Sequence, residues 1–158
     1  MTRFLALDPS STVSGWAVFD DDALVAWGKI DTKKVDYSFR YQFIVNELIH
    51  LVQVYNFQEI AAETAPRWQG REIAALKVAY SSIKHWAKKV GLPMAEYNVS
   101  AWKTSVLGNC HVSKEGTQAT VRLIFPRVPA DLGEHVADAI GVGLYHAGKK
   151  KLQAWGAI

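Results

Sequence analysis

Four side chains that could do chemistry stand where a predicted strand ends or a predicted helix begins: Asp8, Glu63, His135 and Asp138. Asp8 follows the apolar run 4–7, and Glu63 follows the apolar run 60–62. The i, i+3 spacing of His135 and Asp138 places them on one face of a helix. Carboxylates that are held close together repel each other unless a proton or a divalent cation lies between them. Three acids and a histidine from distant parts of the chain could therefore form one metal site.

Such a site suits two divalent cations roughly 3.5–4 Å apart, one that activates a water and one that stabilises the leaving oxygen. Many nucleases use this arrangement. Mg²⁺ is the ion expected for oxygen ligands, and the imidazole makes Mn²⁺ a good substitute because nitrogen ligands suit transition metals better. A structural interpretation stands beside this one. Asp8 could cap a turn before Pro9, and Glu134 and Asp138 could complement a helix dipole.

The elements that must position these residues follow from hydrophobic periodicity and turn formers. We predict five strands, at 3–7, 15–19, 24–30, 59–63 and 94–99. We predict helices at 37–55, 73–90, 100–107, 114–125 and 136–147. Residues 20–22 form the predicted hairpin turn, and Ser100 is the predicted N-cap of the third helix.

This order of elements predicts an α/β fold. Three successive short strands favour an antiparallel meander, and the helix between the third and fourth strands favours a parallel pairing. The result is an open mixed sheet covered by helices. If the first and fourth strands are parallel neighbours, Asp8 and Glu63 face each other at the carboxyl edge of the sheet, where sites form in such folds.

Length and composition bound the class of protein. A chain of 158 residues suits one domain, and 49% hydrophobic with 21% charged residues is an ordinary globular composition. No apolar run approaches the roughly 18 residues of a membrane span, and the patch 4–7 is too short for a signal peptide, so we expect a cytoplasmic protein. The single cysteine, Cys110, excludes an internal disulfide and a four-cysteine zinc site.

The net charge of +3 conceals an asymmetry along the chain. Residues 1–65 carry five basic and nine acidic groups, whereas residues 66–158 carry thirteen basic and six acidic groups. A basic second half in a chain with six tryptophans is compatible with a polyanionic partner such as nucleic acid. A solvated helix surface is the alternative explanation of the charge.

Four segments carry motifs that occur in one order in a known family. They are LALDPSSTVSGW at 5–16, IAAE at 60–63, VLGNCHVSKEGTQ at 106–118 and HVADAIG at 135–141. In this order they resemble the RuvC family of Holliday junction resolvases, which have the ribonuclease H-like fold. Two positions depart from the family pattern. Ser10 stands where the family usually has glycine, and Pro66 stands where some members carry an aromatic that wedges at the junction point.

The resemblance implies a single RuvC-like nuclease domain over 1–158, with a mixed five-stranded sheet flanked by helices. It implies a crossover junction endodeoxyribonuclease that binds two ions, Mg²⁺ or Mn²⁺, and cuts four-way DNA junctions by paired symmetric nicks. The metal positions would be Asp8, Glu63, His135 and Asp138, with Lys114 near the scissile phosphate as a further catalytic residue. We expect DNA contacts from six residues: Arg67, Trp68, Arg71, Lys103, Lys114 and Arg122.

Paired cuts on one junction imply a homodimer. The apolar stripe at 73, 76, 80, 83, 87 and 90 is either a helix-pairing seam or the face that packs on the sheet. Trp86 lies outside that stripe, beside Lys84, His85 and Lys88, which predicts that a partner covers it.

Other functions have distinguishable features. Another ribonuclease H-like nuclease, acting on RNA–DNA hybrids or branched DNA, would not need symmetric cuts. A nucleic-acid-binding module with an inactive site would tolerate the loss of one of the four metal positions. An actin-like ATPase or sugar kinase repeats its strand–Asp–turn–strand domain, and 158 residues leave no room for the repeat.

Overall fold

The computed structural model describes residues 1–65 and 70–157, with the backbone alone for Arg71 and Glu72. Its strands are β1 Arg3–Asp8, β2 Val13–Asp20, β3 Ala23–Asp31, β4 Glu59–Glu63 and β5 Met94–Tyr97. They form one sheet in the order β3-β2-β1-β4-β5. The pairs β1–β2 and β2–β3 are antiparallel, and β1–β4 and β4–β5 are parallel. The predicted α/β fold with a mixed five-stranded sheet is confirmed.

The helices are α1 Arg40–Tyr55, α2 Arg71–Val90, α3 Val99–Leu107, α4 Lys114–Ile124 and α5 Glu134–Ala154. A short 3-10 turn, Tyr37–Phe39, leads into α1. The predicted N-cap at Ser100 is wrong by two residues. Asn98 is the cap, because it keeps an extended backbone and its side chain accepts a hydrogen bond from the Ala101 N–H.

Alternation along the strands divides the core into two layers. One side chain of each consecutive pair on β1 and β4 packs against α1 and α2, as Leu5, Leu7 and Ile60 do. The other packs against α3, α4 and α5, as Phe4 and Ala61 do. The sheet therefore lies between two helical layers, and the residues that end β1 and β4 turn toward the layer that contains α5.

The prediction that Trp86 needs a partner to cover it is wrong. Its side chain is only 7% exposed and belongs to the core beneath α1 and α2. The buried face of α2 is centred on Ile83, and Trp86 lies three residues farther along that face, where a helix returns to the same side. Val90, which the predicted stripe includes, is 52% exposed, since Gly91 ends the helix beside it.

A partly buried chain of polar side chains fastens α5 to the sheet. The Tyr97 hydroxyl hydrogen-bonds His146 Nδ1 at 2.8 Å, and His146 Nε2 lies 3.3 Å from Glu59 Oε1. Burial raises the pKa of Tyr97 and lowers the pKa of His146. These contacts join β4, β5 and α5, because Glu59 begins β4, Tyr97 ends β5 and His146 lies on α5.

The first turn of α5 approaches the sheet closely at Gly15. A Cβ atom at this position would lie 1.9 Å from the carbonyl oxygen of His135 and 2.6 Å from the Val136 nitrogen. Since both atoms belong to the backbone, no side-chain rotation could relieve the clash. Gly15 pairs with Asp8 in the sheet, so this approach sets the height of α5 above the end of β1.

No helix in the described ranges 1–65 and 70–157 is long and apolar enough to span a membrane.

We expect Gly15→Ala to lower the free energy of unfolding by about 1–3 kcal/mol, because the methyl group must displace the start of α5. Chemical denaturation of the purified variant measures this change. Gly148→Ala is the matched control, because Gly148 lies on α5 and a Cβ atom at that position would have no neighbour within 4 Å. That control should be neutral or stabilising by up to about 1 kcal/mol. Equal stabilities of the Gly15→Ala variant and the wild type would contradict the packing argument.

Candidate active site

Asp8 and Glu63 lie side by side because β1 and β4 are parallel neighbours in register. Leu7 lies opposite Ala62, so the next residue of each strand, Asp8 and Glu63, comes at the same carboxyl edge. Side chains alternate between the two faces of a strand, so Asp8 and Glu63 lie on the same face as Ala6 and Ala61, which pack against the α5 layer. The predicted parallel pairing, and the juxtaposition that depends on it, is confirmed.

The start of α5 brings the other two predicted residues to this edge. Gly133 precedes the helix with φ 83°, a conformation that favours glycine. His135 then hydrogen-bonds through Nδ1 to Asp8 Oδ2 at 2.9 Å. Asp138, one turn later, is close enough to raise the pKa of Glu63 and to have its own pKa raised by Asp8. The structure therefore unites all four predicted residues.

The helix α3 closes the site on the side of β5. Trp102 is fully buried, and its Nε1–H donates a hydrogen bond to Glu63 Oε2 at 2.7 Å. Burial raises the pKa of Asp8, Glu63 and Asp138, and the positive charge of the next residue, Lys103, offsets a small part of that rise. Lys103 Nζ also lies 5.5 Å from the centre of the Trp102 ring.

Burial and neighbouring negative charge raise the pKa of all three carboxyls. Burial, followed by the Asp8 charge, raises the pKa of Glu63 to about 8. The same two causes raise the pKa of Asp138 to about 7. Burial also raises the pKa of Asp8, although its hydrogen bond to His135 opposes the change. The pKa of His135 rises in turn, chiefly through the hydrogen bond to Asp8.

These residues fit a hard divalent cation, because carboxylate oxygens are the ligands that Mg²⁺ prefers and a cation would relieve the repulsion. Among the described residues, no three His, Cys, Asp or Glu side chains are arranged so that they could hold a metal ion as they stand. Two of the carboxylate oxygens have protein partners: Asp8 Oδ2 is hydrogen-bonded to His135 Nδ1, and Glu63 Oε2 accepts from Trp102 Nε1–H.

Lys114 is connected to His135 through Glu134, which the sequence suggested only as a residue that complements the helix dipole. Its Nζ lies 2.5 Å from Glu134 Oε2, and Glu134 Oε1 is 3.6 Å from His135 Nε2. Glu134 therefore links the basic start of α4 to the histidine. Trp102 was missed as well, because a tryptophan in a short helix ordinarily indicates core packing. One feature of the sequence could have suggested it. Glu63 ends β4, and α3 follows the neighbouring strand β5, so a side chain on α3 is well placed to donate a hydrogen bond to Glu63.

The other predicted DNA-contacting residues are placed differently. Lys103 lies near enough to the carboxylates for its charge to act on Asp8 and Asp138. Arg122 is exposed in the last turn of α4, about 12 Å along the helix axis from Lys114. Arg71 begins α2 and is described by its backbone alone. Arg67 and Trp68, like the wedge position Pro66, lie outside the described residues, and their roles stay predictions.

Ser10, the other departure from the family pattern, needs no glycine. Its φ is not positive, so the backbone here does not require glycine. The Ser14 hydroxyl closes the loop: it accepts a hydrogen bond from the Ser10 N–H and donates one to the Ser10 carbonyl oxygen, each at 2.9 Å.

Residues 4–146 match the family described as crossover junction endodeoxyribonuclease RuvC, and this range contains the whole cluster. The chain belongs to the RuvC family. The enzyme class expected from the sequence is confirmed at the level of the family, whose nucleases depend on metal ions.

Individual RuvC proteins are similar over nearly their whole length. The chain is 28% identical over 168 residues to crossover junction endodeoxyribonuclease RuvC of Chelativorans sp. (strain BNC1), covering 97% of this chain and 92% of that protein. It is 27% identical over 154 residues to RuvC of Coxiella burnetii (strain Dugway 5J108-111), covering 94% of this chain and 88% of the relative.

Solved structures support the fold. T. thermophilus RuvC in complex with a Holliday junction substrate superposes with a TM-score of 0.82 at 21% identity, covering 97% of both chains. Fowlpox virus resolvase, in complex with substrate Holliday junction DNA, gives a TM-score of 0.54 at 12% identity, covering 94% of this chain and 99% of the viral one. The predicted ribonuclease H-like fold is confirmed.

The raised carboxyl pKa values predict how the stability of the metal-free protein depends on pH. Glu63 has an ordinary pKa of 4.5 and a folded value of about 8, so folding favours its protonated form. That stabilisation is complete below pH 4.5 and is lost as the pH rises through 8. We expect Glu63→Gln, which keeps an acceptor for Trp102, to raise the melting temperature at pH 8 by at least about 2–4 °C.

Thermal unfolding in a chelator, followed by circular dichroism at pH 5 and pH 8, measures this difference. The gap between the variant and the wild type should narrow at pH 5, where Glu63 is largely protonated. Glu47→Gln is the control, because Glu47 lies on α1 on the opposite side of the sheet. A Glu63→Gln variant no more stable than the wild type at pH 8 would count against strong repulsion at this edge.

Proposed function

We propose that this chain is a structure-selective endonuclease that resolves four-way DNA junctions by paired symmetric nicks, with one nuclease domain over 1–158. The convergence of Asp8, Glu63 and Asp138 at one sheet edge supports this proposal most directly. Membership of the RuvC family supplies the reaction, which is phosphodiester hydrolysis. The four-way junction is the substrate that the names of its relatives indicate.

The three carboxylates and His135 would hold two Mg²⁺ ions, with Mn²⁺ as a substitute. Bound divalent cations supply a Lewis acid and an activated water for hydrolysis. Asp8 and Glu63 present oxygens from two rigid strands, and Asp138 presents oxygens from the first turns of α5. His135 either joins them as a ligand or orients Asp8 through Nδ1, and the hydrogen bond between the two residues is consistent with either role.

Lys114 and Lys103 would serve the phosphate backbone. The Lys114 side chain is 71% exposed although it pairs with Glu134, so its charge can move to a phosphate without a desolvation cost. Lys103 lies nearer the carboxylates, where its charge acts on the acids and would also act on the strand to be cut. Arg67, Trp68, Arg71 and Arg122 complete the proposed DNA-contacting set.

The groove between α1 and α2 is the proposed surface for a second copy of the chain. It has a volume of about 670 Å³, and its lining includes Ile49 and Val78, which are 39% and 48% exposed. Two copies joined by a two-fold axis would bring two metal sites to one junction. Because a four-way junction has approximate two-fold symmetry, this arrangement would place one nick on each of two strands.

We expect Asp8→Asn, Glu63→Gln and Asp138→Asn each to lower the rate of cleavage by at least about 100-fold. Loss of a residue that only supports a metal ligand typically costs about 10–100-fold, and loss of the ligand itself should cost more. Junction binding should change little, because it depends on basic side chains that contact phosphates. Cleavage of a labelled immobile four-way junction in Mg²⁺ or Mn²⁺, and mobility shift in a chelator, measure the two properties separately.

The same assay tests the substrate. The wild type and Glu47→Gln should both make symmetric paired nicks in the junction and leave a linear duplex intact. Equal cleavage of an RNA–DNA hybrid would overturn the junction assignment in favour of another ribonuclease H-like activity. Near wild-type cleavage by any of the three variants would remove that residue from the metal site.

We expect the free protein to be a dimer at micromolar concentration, and Val78→Glu to convert it to a monomer, because the substitution buries a charge in the proposed interface. Light scattering coupled to gel filtration measures the mass. Val54→Glu is the matched control, since Val54 is a similarly exposed valine on α1 outside the groove. A monomeric wild type, both free and bound to a junction, would contradict the paired-cut mechanism.

A further inference from the structure

Trp102 joins the hydrophobic core to the carboxylate cluster. Its side chain is 0% exposed and packs with the α4 and α5 layer. An indole N–H can only donate, and a buried one needs an acceptor. The acceptor is Glu63 Oε2, at 2.7 Å. A residue whose bulk belongs to the core thus directs its only polar atom at a proposed metal ligand.

The ring that carries this donor cannot move freely. A Cβ atom at Gly141 of α5 would lie 2.4 Å from Trp102 Cζ3 and 2.9 Å from Cε3, so α5 passes directly against the indole. On the other side, Asn98 caps α3 immediately after β5 ends. The last residue of β5, Tyr97, pairs in register with Glu63, so donor and acceptor are fixed to the same part of the sheet.

The hydrogen bond distinguishes the two oxygens of Glu63. Oε2 is engaged by a fixed donor, which limits rotation of the carboxylate about its terminal bond. Oε1 is then the oxygen that Trp102 leaves available for a cation. Outer partners of this kind orient metal ligands, and their loss typically costs 10–100-fold in metal affinity or activity.

We propose that Trp102 is a positioning residue that sets how Glu63 binds the divalent cation, by holding Oε2 and presenting Oε1. This inference rests on the proposed function, because it takes Glu63 to be a metal ligand. It assigns Trp102 no contact with DNA or with the cation.

The substitution Trp102→Phe tests the proposal, because it removes the N–H donor and keeps most of the apolar ring. Trp86→Phe is the matched control. Trp86 is likewise buried in the core, but its Nε1 has no hydrogen-bond partner among the described residues. The control therefore loses a buried indole N–H without losing a bond to a metal ligand.

The primary measurement is calorimetric titration of the DNA-free protein with Mn²⁺. We expect Trp102→Phe to weaken Mn²⁺ binding about 10–100-fold and Trp86→Phe to change it less than about 2-fold. In junction cleavage, the Mn²⁺ concentration for half-maximal rate should rise by the same factor, whereas the rate at saturating Mn²⁺ should fall much less. In a Glu63→Gln background, Trp102→Phe should change Mn²⁺ binding less than about 2-fold, a dependence that a merely structural role would not show.

Wild-type affinity in the Trp102→Phe variant would overturn the proposal, as would equal losses in the two tryptophan variants or no Mn²⁺ binding by the wild type. If Trp102→Phe fails to fold, Gly141→Ala supplies the test, because it displaces the ring and retains the donor. It should raise the Mn²⁺ concentration for half-maximal binding at least about 3-fold, and an unchanged value would count against the proposal. Because the titration needs no DNA, a wild type that binds Mn²⁺ but does not cut junctions would refute the proposed function separately.

Discussion

The crowding of three carboxylates at one sheet edge is the constraint on which the rest of the structure depends. Asp8, Glu63 and Asp138 come from two strands and a helix. Burial raises the pKa of all three carboxyls, and the Asp8 charge raises the pKa of Glu63 and of Asp138 further. Burying such charges without compensation is costly, so the groups around them supply part of it. His135 bonds to Asp8, Trp102 bonds to Glu63, and Lys103 adds a positive charge. The remaining imbalance is what a bound cation would offset.

Close backbone approach makes this concentration of charge possible. The first turn of α5 rests on Gly15, and the middle of α5 passes the Trp102 ring at Gly141. At both places a methyl group would collide, once with backbone and once with a rigid ring. The short distance that packs α5 on the sheet is thus the same distance that brings His135 and Asp138 to the ends of β1 and β4. Core packing and site geometry are one property of this fold rather than two.

Much of this arrangement could be predicted from the sequence, because strand parity and parallel pairing follow from the order of elements. An acid that ends β1 and an acid that ends β4 must meet if those strands are adjacent, and they do. Contacts between distant side chains could not be predicted in this way. The choice of Asn98 over Ser100 as the cap depends on where β5 ends, and the burial of Trp86 depends on which side of α2 meets α1. The bond from Trp102 to Glu63 joins residues 39 positions apart.

The uneven charge along the sequence acquires a spatial meaning in the fold. Asp8 and Glu63 come from the acidic first part of the chain and end two strands. Lys103 and Lys114 come from the basic second part, where Lys103 lies on α3 and Lys114 begins α4. The two acids lie next to each other at the carboxyl edge of the sheet, and Lys114 is exposed. Groups suited to cations and groups suited to phosphates therefore rest on separate elements, and Glu134 connects them through its contacts with Lys114 and His135. Each set is held by its own part of the backbone, although Lys103 lies close enough to the carboxylates for its charge to act on all three.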